Sequence, residues 1–306
     1  MNMYQDTWES RSSVRSRPRK IIDFTREGDF FPADKQSLLL VPEIASLGES
    51  VRKEILVQSF YKYLNDIVHL EMQWIYMACH HIMDKKLVVQ YSDAIKLNAC
   101  TIIIDEYYHM YIAYDMIFQL RGFFNNFMQL DYLESDANNA IITIKNLLEE
   151  KYHDMFEIIA VCIFETTLVR ELVEYFDSKN IHPSIRYYVK DHMNDESRHY
   201  GFFCNLLRDT WANLPEDFKK NIGSNLAYFV QLYLGIHSEK AYNLQLLTHL
   251  WKDELKAKNS IDKLYYGFEL SSEMPIVKNV LNVLRETRIL DSEDVRQGFK
   301  AYHLHI

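Results

Sequence analysis

Two stretches of the sequence share the pattern Asp-Glu-x-x-His, which places a carboxylate and an imidazole three residues apart. The first is DEYYH at 105–109, and the second is DESRH at 195–199. A lone glutamate precedes each stretch, Glu71 before the first and Glu165 before the second. Residues three apart on a helix lie on one face, so each stretch would aim its glutamate and its histidine at the same point. The sequence therefore contains twice the same pattern, a lone glutamate followed by an Asp-Glu-x-x-His motif.

The four glutamates of this pattern fall on helix faces that are otherwise apolar. Their neighbours three, four and seven residues away are almost all apolar or histidine; around Glu71 they are Leu64, Ile67, Val68, Trp74, Ile75 and Ala78. A helix buries such a stripe. One glutamate there is most simply a boundary residue or the partner of an arginine, but four together need another explanation. A buried carboxylate has to be paired, protonated or metal-bound, because leaving it bare is strongly unfavourable.

Histidines, rather than lysines or arginines, share these faces. His109 and His199 lie three residues after a motif glutamate, and His192 lies four residues before Glu196. Oxygen-rich ligation with some nitrogen suits iron or manganese better than structural zinc, and four carboxylates balance two divalent ions. One glutamate from each of two helices plus Glu-x-x-His from each of the other two is the dinuclear plan of ferritin-like bundles. We therefore predict a dinuclear metal site formed by Glu71, Glu106, His109, Glu165, His192, Glu196 and His199.

An aspartate stands directly before each motif glutamate. Asp105 and Asp195 could be solvated acids or partners of an arginine. The alternative that we favour is a supporting role, in which each aspartate accepts the free ring N–H of a ligand histidine and so fixes its tautomer. Arg198 would then pair with one of the two aspartates.

Long parts of the chain lack helix-breaking residues, which predicts long helices. No proline occurs between Pro42 and Pro183, and no glycine occurs between Gly122 and Gly201. The predicted helices span about 51–83, 91–127, 138–177, 184–209, 218–257, 261–270 and 276–288, and no segment shows the alternation of a strand. We predict an all-α fold with a ferritin-like helical bundle core and additional C-terminal helices. Residues 46–306 would form a single all-α domain, and residues 1–45 a partly disordered N-terminal arm.

The composition argues against several classes of protein. A net charge of −9 provides no basic field for nucleic acid. The glycines are too far apart for GxGxxG, P-loop or GxSxG motifs, since the closest pair is Gly223 and Gly235. Four cysteines without a CxxC pair indicate reduced thiols, and no run approaches the ~20 apolar residues of a membrane span. We expect a cytoplasmic protein that binds neither nucleic acid nor membrane.

The stretch HMNDESRH at 192–199 adds a third histidine to an otherwise ordinary diiron motif. With it, residues 50–210 resemble the para-aminobenzoate N-oxygenase family of ferritin-like diiron oxygenases. The resemblance implies two iron ions on the seven residues named above, O2 as co-substrate, an external electron donor, and a cytosolic homodimer in natural-product biosynthesis. It implies oxidation of a primary amine, aryl or small aliphatic, toward a hydroxylamine, nitroso or nitro product. The amine lone pair would attack O2 that has been activated as a metal-bound peroxide.

Other functions remain open at the level of sequence. Six of the seven ligands also suit a diiron C–H hydroxylase, a desaturase or a radical-generating subunit, and only His192 favours N-oxygenation. The alternative for His192 itself is a core histidine bonded to a backbone carbonyl. A non-enzymatic iron-binding or iron-storage protein is a further alternative. Storage bundles are usually shorter and form cages, which argues against it.

Overall fold

Helices make up the regular structure of the protein. The computed structural model describes residues 3–84, 86–124, 127–167 and 177–304. In these ranges the fold is all-α, as predicted, with no strand and a single bridge between Asp29 and Ile181. The helices are α1 (Met3–Arg11), α2 (Ser13–Ser16), α3 (Pro42–Ala45), α4 (Glu49–Leu70), α5 (Tyr76–Asp84), α6 (Asp93–Phe123), α7 (Asp136–Leu147), α8 (His153–Glu165), α9 (Pro183–Asn213), α10 (Glu216–Tyr233), α11 (His237–Trp251), α12 (Glu254–Leu264), α13 (Pro275–Glu286) and α14 (Glu293–Ala301).

Four long segments form the bundle that carries the predicted ligands. A π-helical turn, Glu71–Ile75, joins α4 to α5 without a break in the helix. This composite helix packs against α6, α6 packs against α9, α9 packs against α8, and α8 closes the ring against α5. Further out, α10 lies against α7 and α14, and α11 lies against α12. None of the described helices is long and apolar enough to cross a membrane.

Local sequence signals determine where several of these helices begin. The Ser135 hydroxyl accepts the backbone N–H of Asn138 at the start of α7, at 3.1 Å. Ser92 does the same for Ile95 at the start of α6. Pro183 occupies the first turn of α9, where its missing N–H would have no helical partner in any case.

The structure divides two of the predicted helices. The helix predicted at 138–177 is α7 followed by α8, because Leu148 is extended and its carbonyl accepts Nε2–H of His153 at 3.0 Å. Residues 168–176 of that prediction lie outside the described residues. The helix predicted at 218–257 ends at Tyr233, two residues before Gly235, and resumes as α11. Lys252, with φ 54°, ends α11, so the next helix begins at 254 rather than 261. The sequence did not predict α1, α2, α3 or α14.

Two apolar clusters pack above and below the predicted ligands. Ile67 and Val68 belong to one cluster, while Trp74 and Ile75, one turn further along, belong to the other. The same division occurs on α9, where Val189 lies in the first cluster and the phenylalanines at 202 and 203 lie in the second. The predicted ligands therefore form a polar layer between two apolar clusters. They lie on the helix faces whose apolar pattern predicts burial.

The N-terminal segment lies along the bundle. α1 and α2 both contact α6 and α9. Trp8, Ser12 and Ser13 are buried, and the Lys20 ammonium pairs with Asp191. The predicted division between a partly disordered arm, 1–45, and a domain from residue 46 stays a prediction.

Candidate metal centre

Each segment of the bundle contributes to one buried cluster of predicted ligands. Glu71 begins the π-helical turn, and Glu165 is the last residue of α8. α6 supplies two ligands and α9 supplies three. Every member exposes 6% or less of its surface: Glu71, Glu106, His109, Glu165, His192, Glu196 and His199. The fold thus brings all seven predicted residues together.

The ligand atoms fall into two overlapping groups of four. One group is Glu71, His109, His192 and Glu196, and the other is Glu106, Glu165, Glu196 and His199. Within each group the ligand atoms lie within 4.8 Å of one another. Glu196 belongs to both groups, so its two oxygens could bridge two metal ions. Two positions that share a carboxylate are the arrangement of a dinuclear carboxylate site.

Each of the three histidines has a ring nitrogen close to the carboxylate of Glu196, and the two motif histidines also lie close to Glu106. His109 Nδ1 lies 3.1 Å from Glu106 Oε2 and 3.3 Å from Glu196 Oε1. His199 Nδ1 lies 2.9 Å from Glu106 Oε1 and 3.3 Å from Glu196 Oε2. His192 presents its other nitrogen, with Nε2 at 3.1 Å from Glu196 Oε1. The additional histidine therefore reaches the same carboxylate as the two motif histidines.

The two aspartates contact the outer nitrogens of the motif histidines in a crossed pattern. Asp195 on α9 lies 3.2 Å from Nε2 of His109 on α6, and Asp105 on α6 lies 3.4 Å from Nε2 of His199 on α9. A proton held on Nε2 in this way leaves Nδ1 as the lone-pair donor toward the cluster. Arg198 donates to both aspartates, rather than to one as predicted, and lies 3.3 Å from Asp105 Oδ2.

The N-terminal segment provides further contacts to these aspartates that sequence reasoning missed. The Ser12 hydroxyl donates to Asp105 Oδ1, and the Ser13 backbone N–H donates to Asp195 Oδ1 at 3.2 Å. All four residues are buried. Two adjacent serines in a basic terminal stretch carry no spacing signal, so only the fold could reveal their partners.

The π-helical turn at Glu71–Ile75 is a second feature that the sequence does not mark. Its extra residue widens the helix where Glu71 enters the cluster, and such turns are frequent at functional sites. Trp74 of the same turn is buried and donates its indole N–H to Asn138 Oδ1 at 2.8 Å. The turn is thereby anchored to α7 while its first residue, Glu71, faces the other predicted ligands.

The buried carboxylates are short of partners for their charge. Burial, and then the negative charges of neighbouring glutamates, raise the pKa of Glu71 and of Glu165 well above the ordinary value. Glu71 Oε2 and Glu165 Oε2 have no hydrogen-bond partner among the described residues. A buried carboxylate oxygen in this state needs a proton or a cation.

The pKa of His109 is also raised, whereas the pKa of Glu196 is lowered. Burial and the neighbouring His192 disfavour protonation of His109, but hydrogen bonds to Asp195 and to the cluster raise its pKa to about 10. Burial also disfavours ionisation of Glu196, yet His199 and His192 outweigh burial and hold its pKa well below the ordinary value. Protons and metal ions compete for the same lone pairs. The donor set therefore fits two divalent metal ions, which would take the place of the shared protons.

A second polar cluster lies further along α5 and α8. His81 Nδ1 lies 3.5 Å from Glu157 Oε2 and 3.7 Å from Asp154 Oδ1. The Lys145 ammonium pairs with Glu157, so a cation is already supplied by the chain. This cluster is therefore an ion-pair network between helices.

The comparison with protein families covers most of the chain. The sequence model of the p-aminobenzoate N-oxygenase AurF family matches residues 8–247. This chain belongs to the AurF family. The match includes all seven predicted ligands and begins before Ser12, so it extends well beyond the 50–210 range of the sequence resemblance. No curated protein sequence matches the chain.

Membership in the AurF family gives the chemistry in outline. The family is one of diiron N-oxygenases, so the chain is an oxidoreductase whose two groups of carboxylates and histidines could hold metal ions. A small-molecule substrate and an electron donor follow from the same membership.

Proposed function

We propose that the protein binds two iron ions and uses O2 to oxidise a primary amine toward a hydroxylamine, nitroso or nitro product. The observation that supports this most directly is the third imidazole, His192, beside an AurF-family cluster of four carboxylates. Glu71, His109, His192 and Glu196 would hold one iron, and Glu106, Glu165, Glu196 and His199 the other. Two irons bound there would supply the activation of O2.

The protein's own residues would orient the ligands and exclude water. Asp105 and Asp195 hold the Nε2 protons of the opposite motif histidines, which keeps both Nδ1 atoms available. Arg198 contacts both aspartates and offsets one of their two negative charges. The apolar clusters on either side of the polar layer exclude water from the remaining faces.

Oxidation of the amine to the hydroxylamine requires electrons that the protein must obtain from another molecule. One oxygen atom of O2 enters an N–H bond of the amine to form the hydroxylamine. The other oxygen atom leaves as water, which consumes two electrons and two protons. No described side chain of the cluster is a redox carrier, so these electrons come from an external donor. We include in the proposal a cytoplasmic homodimer that serves natural-product biosynthesis, on the basis of family membership alone.

The proposal can be tested with purified, iron-loaded protein, a chemical reductant and isotopically labelled O2. A panel of aryl and small aliphatic primary amines is offered, and products are identified by mass spectrometry. We expect labelled oxygen on nitrogen in at least one product. A matched reaction with the Glu196→Gln variant, treated identically, measures the background from free iron.

Two results would contradict the proposal. Label on carbon, or formation of a double bond, in every product would indicate a diiron hydroxylase or desaturase instead. Accumulation of hundreds of irons per assembly without amine oxidation would indicate iron storage.

A further inference from the structure

One cavity connects the predicted ligands with the surface of the protein. It has a volume of about 350 Å³, which is typical of sites for small molecules (about 300–1,000 Å³). Glu71, Glu165, His192 and Glu196 form its buried end. A larger cavity, of about 710 Å³, is bordered by none of the seven predicted ligands. The smaller cavity can therefore bring a substrate to the cluster.

The walls next to the ligands are mainly apolar. They are formed by Ile67, Leu70, Ile75, Ala137 and Phe164. Such walls suit a carbon skeleton and disfavour an ammonium, because burial among apolar groups lowers the pKa of an amine. The reacting amine at this end of the cavity would therefore be neutral, with its lone pair available.

The remaining charged lining consists of one lysine and three carboxylates, all more exposed than the predicted ligands, and we call it the outer part of the cavity. Lys62 Nζ donates to Asp66 Oδ2 at 2.6 Å, so the positive charge already has a partner. Asp136 and Glu239 contact no lysine or arginine among the described residues. Asp136 Oδ1 lies 3.5 Å from Nδ1 of His237, whose imidazole is largely exposed. The outer part of the cavity is therefore net acidic.

Neutral donors hold these two carboxylates in place without cancelling their charge. Asp136 Oδ2 accepts the backbone N–H and the hydroxyl of Ser238, at 3.0 and 2.8 Å. Glu239 Oε1 accepts the hydroxyls of Ser37 and Tyr265, at 2.8 and 2.7 Å. These hydrogen bonds fix the positions of both carboxylates in the lining of the cavity.

Building on the proposed function, we propose that the substrate is a primary amine whose far end carries a positive charge. The neutral amine would lie against the predicted ligands, and the cationic end would lie near Asp136 and Glu239. A substrate with a carboxylate at its far end would meet these two anions, and the only lysine in the described lining is already engaged by Asp66. The structure therefore favours a different charge from that of p-aminobenzoate.

Three anilines that differ only in the para substituent test this inference. They are p-aminobenzylamine, which is cationic at neutral pH, the neutral p-toluidine, and the anionic p-aminobenzoate. Equilibrium binding to iron-loaded protein is measured without O2, so the result does not depend on turnover. We expect binding in the order cation, neutral, anion, with about tenfold between the first and the last, since each partly exposed charge contributes at most ~fivefold.

The Glu239→Gln variant tests the assignment of the charge. It keeps the side-chain volume and removes the negative charge, so the preference for the cation should fall by about half on a logarithmic scale. The exposed Glu293 on α14 provides the control, and Glu293→Gln should leave the preference unchanged.

The outcomes separate this inference from the proposed function. Tighter binding of p-aminobenzoate, equal binding of all three anilines, or no binding of any would overturn the inference, even if amines are oxidised on nitrogen. A binding order as expected, with no oxidation of any amine on nitrogen, would uphold the inference about the cavity and contradict the proposed function.

Discussion

The two halves of the metal centre share a plan but differ four residues before each motif glutamate. On α6 this position is Ile102, which belongs to the same apolar cluster as Trp74. On α9 it is His192, whose ring lies 4.1 Å from that of His109. The repeated motif alone would give two similar metal positions. Because α9 has a histidine where α6 has an apolar residue, one ligand group contains two imidazoles, His109 and His192, and the other contains one, His199.

The lone glutamates that complete the halves also differ in their backbone setting. Glu71 stands at the start of a π-helical turn inside a long helix, whereas Glu165 ends α8. Glu71 therefore has helix on both sides, because the π-helical turn joins α4 to α5. The two halves therefore share Glu196, which belongs to both ligand groups, but their backbones differ around the lone glutamates, and substitutions in each half should have different effects.

The largest effect is expected from Glu196→Gln, because Glu196 belongs to both ligand groups. Replacement of its carboxylate should lower iron from about two per chain to less than one. Glu165→Gln, which alters one group only, should retain about one. Iron is measured by elemental analysis after reconstitution, and circular dichroism confirms that both variants are helical. Equal iron content in the two variants would show that Glu196 does not bridge.

His192→Gln tests the asymmetry between the halves. Loss of a direct ligand should lower amine oxidation at least as much as loss of a supporting residue, so by about 100-fold or more, while the protein stays folded. Ile102→Val is the matched control at the equivalent position of α6. It should lose about 0.5–1.5 kcal/mol of stability and keep its activity. If His192→Gln kept the parental activity, His192 would be a core histidine and not a ligand.

Asp195→Asn and Asp105→Asn probe the crossed support of the motif histidines. Each keeps the side-chain volume but weakens the hydrogen bond to a ring nitrogen on the opposite helix. We expect about 10–100-fold weaker iron binding at the position served by that histidine. Fe²⁺ titration without O2 measures the two affinities. If each variant instead weakened iron binding at the position served by the histidine of its own motif, the crossed arrangement would be wrong.

The smallest effect is expected from Ser12→Ala, which removes the hydroxyl that donates to Asp105. A hydrogen bond to a charged group contributes about 1.5–3 kcal/mol, of which only a part reaches the metal through His199. Iron affinity at that position should fall by about three- to tenfold. Ser16→Ala, which affects only a bond to the backbone carbonyl of Ser12, is the control. If the two variants changed iron affinity equally, the hydrogen bond from Ser12 to Asp105 would not support the site.

The sequence predicted what depends on local periodicity. Glu106 and His109, or Glu196 and His199, are three residues apart, so helical geometry alone places them together. The buried stripes around them likewise predicted an all-α bundle. Helix ends without a glycine or proline signal were harder, as the break between α7 and α8 at Leu148 shows.

Contacts between distant parts of the chain could not be predicted in this way. His109 and Asp195 are 86 residues apart, and Ser12 and Asp105 are 93 apart. Which aspartate supports which histidine depends on how α6 and α9 pack, and not on either sequence alone. The π-helical turn at Glu71 depends in the same way on its surroundings, including the bond between Trp74 and α7.

The central claim is that seven side chains form one dinuclear iron site. Its most direct test is the number of Fe²⁺ ions that the protein binds without O2, determined by titration of the metal-free protein and followed by Mössbauer spectroscopy. We predict saturation at about two irons per chain, in two distinct environments, since one position has two imidazoles and the other has one. Saturation at one iron, or binding of many irons in a single environment, would contradict the account.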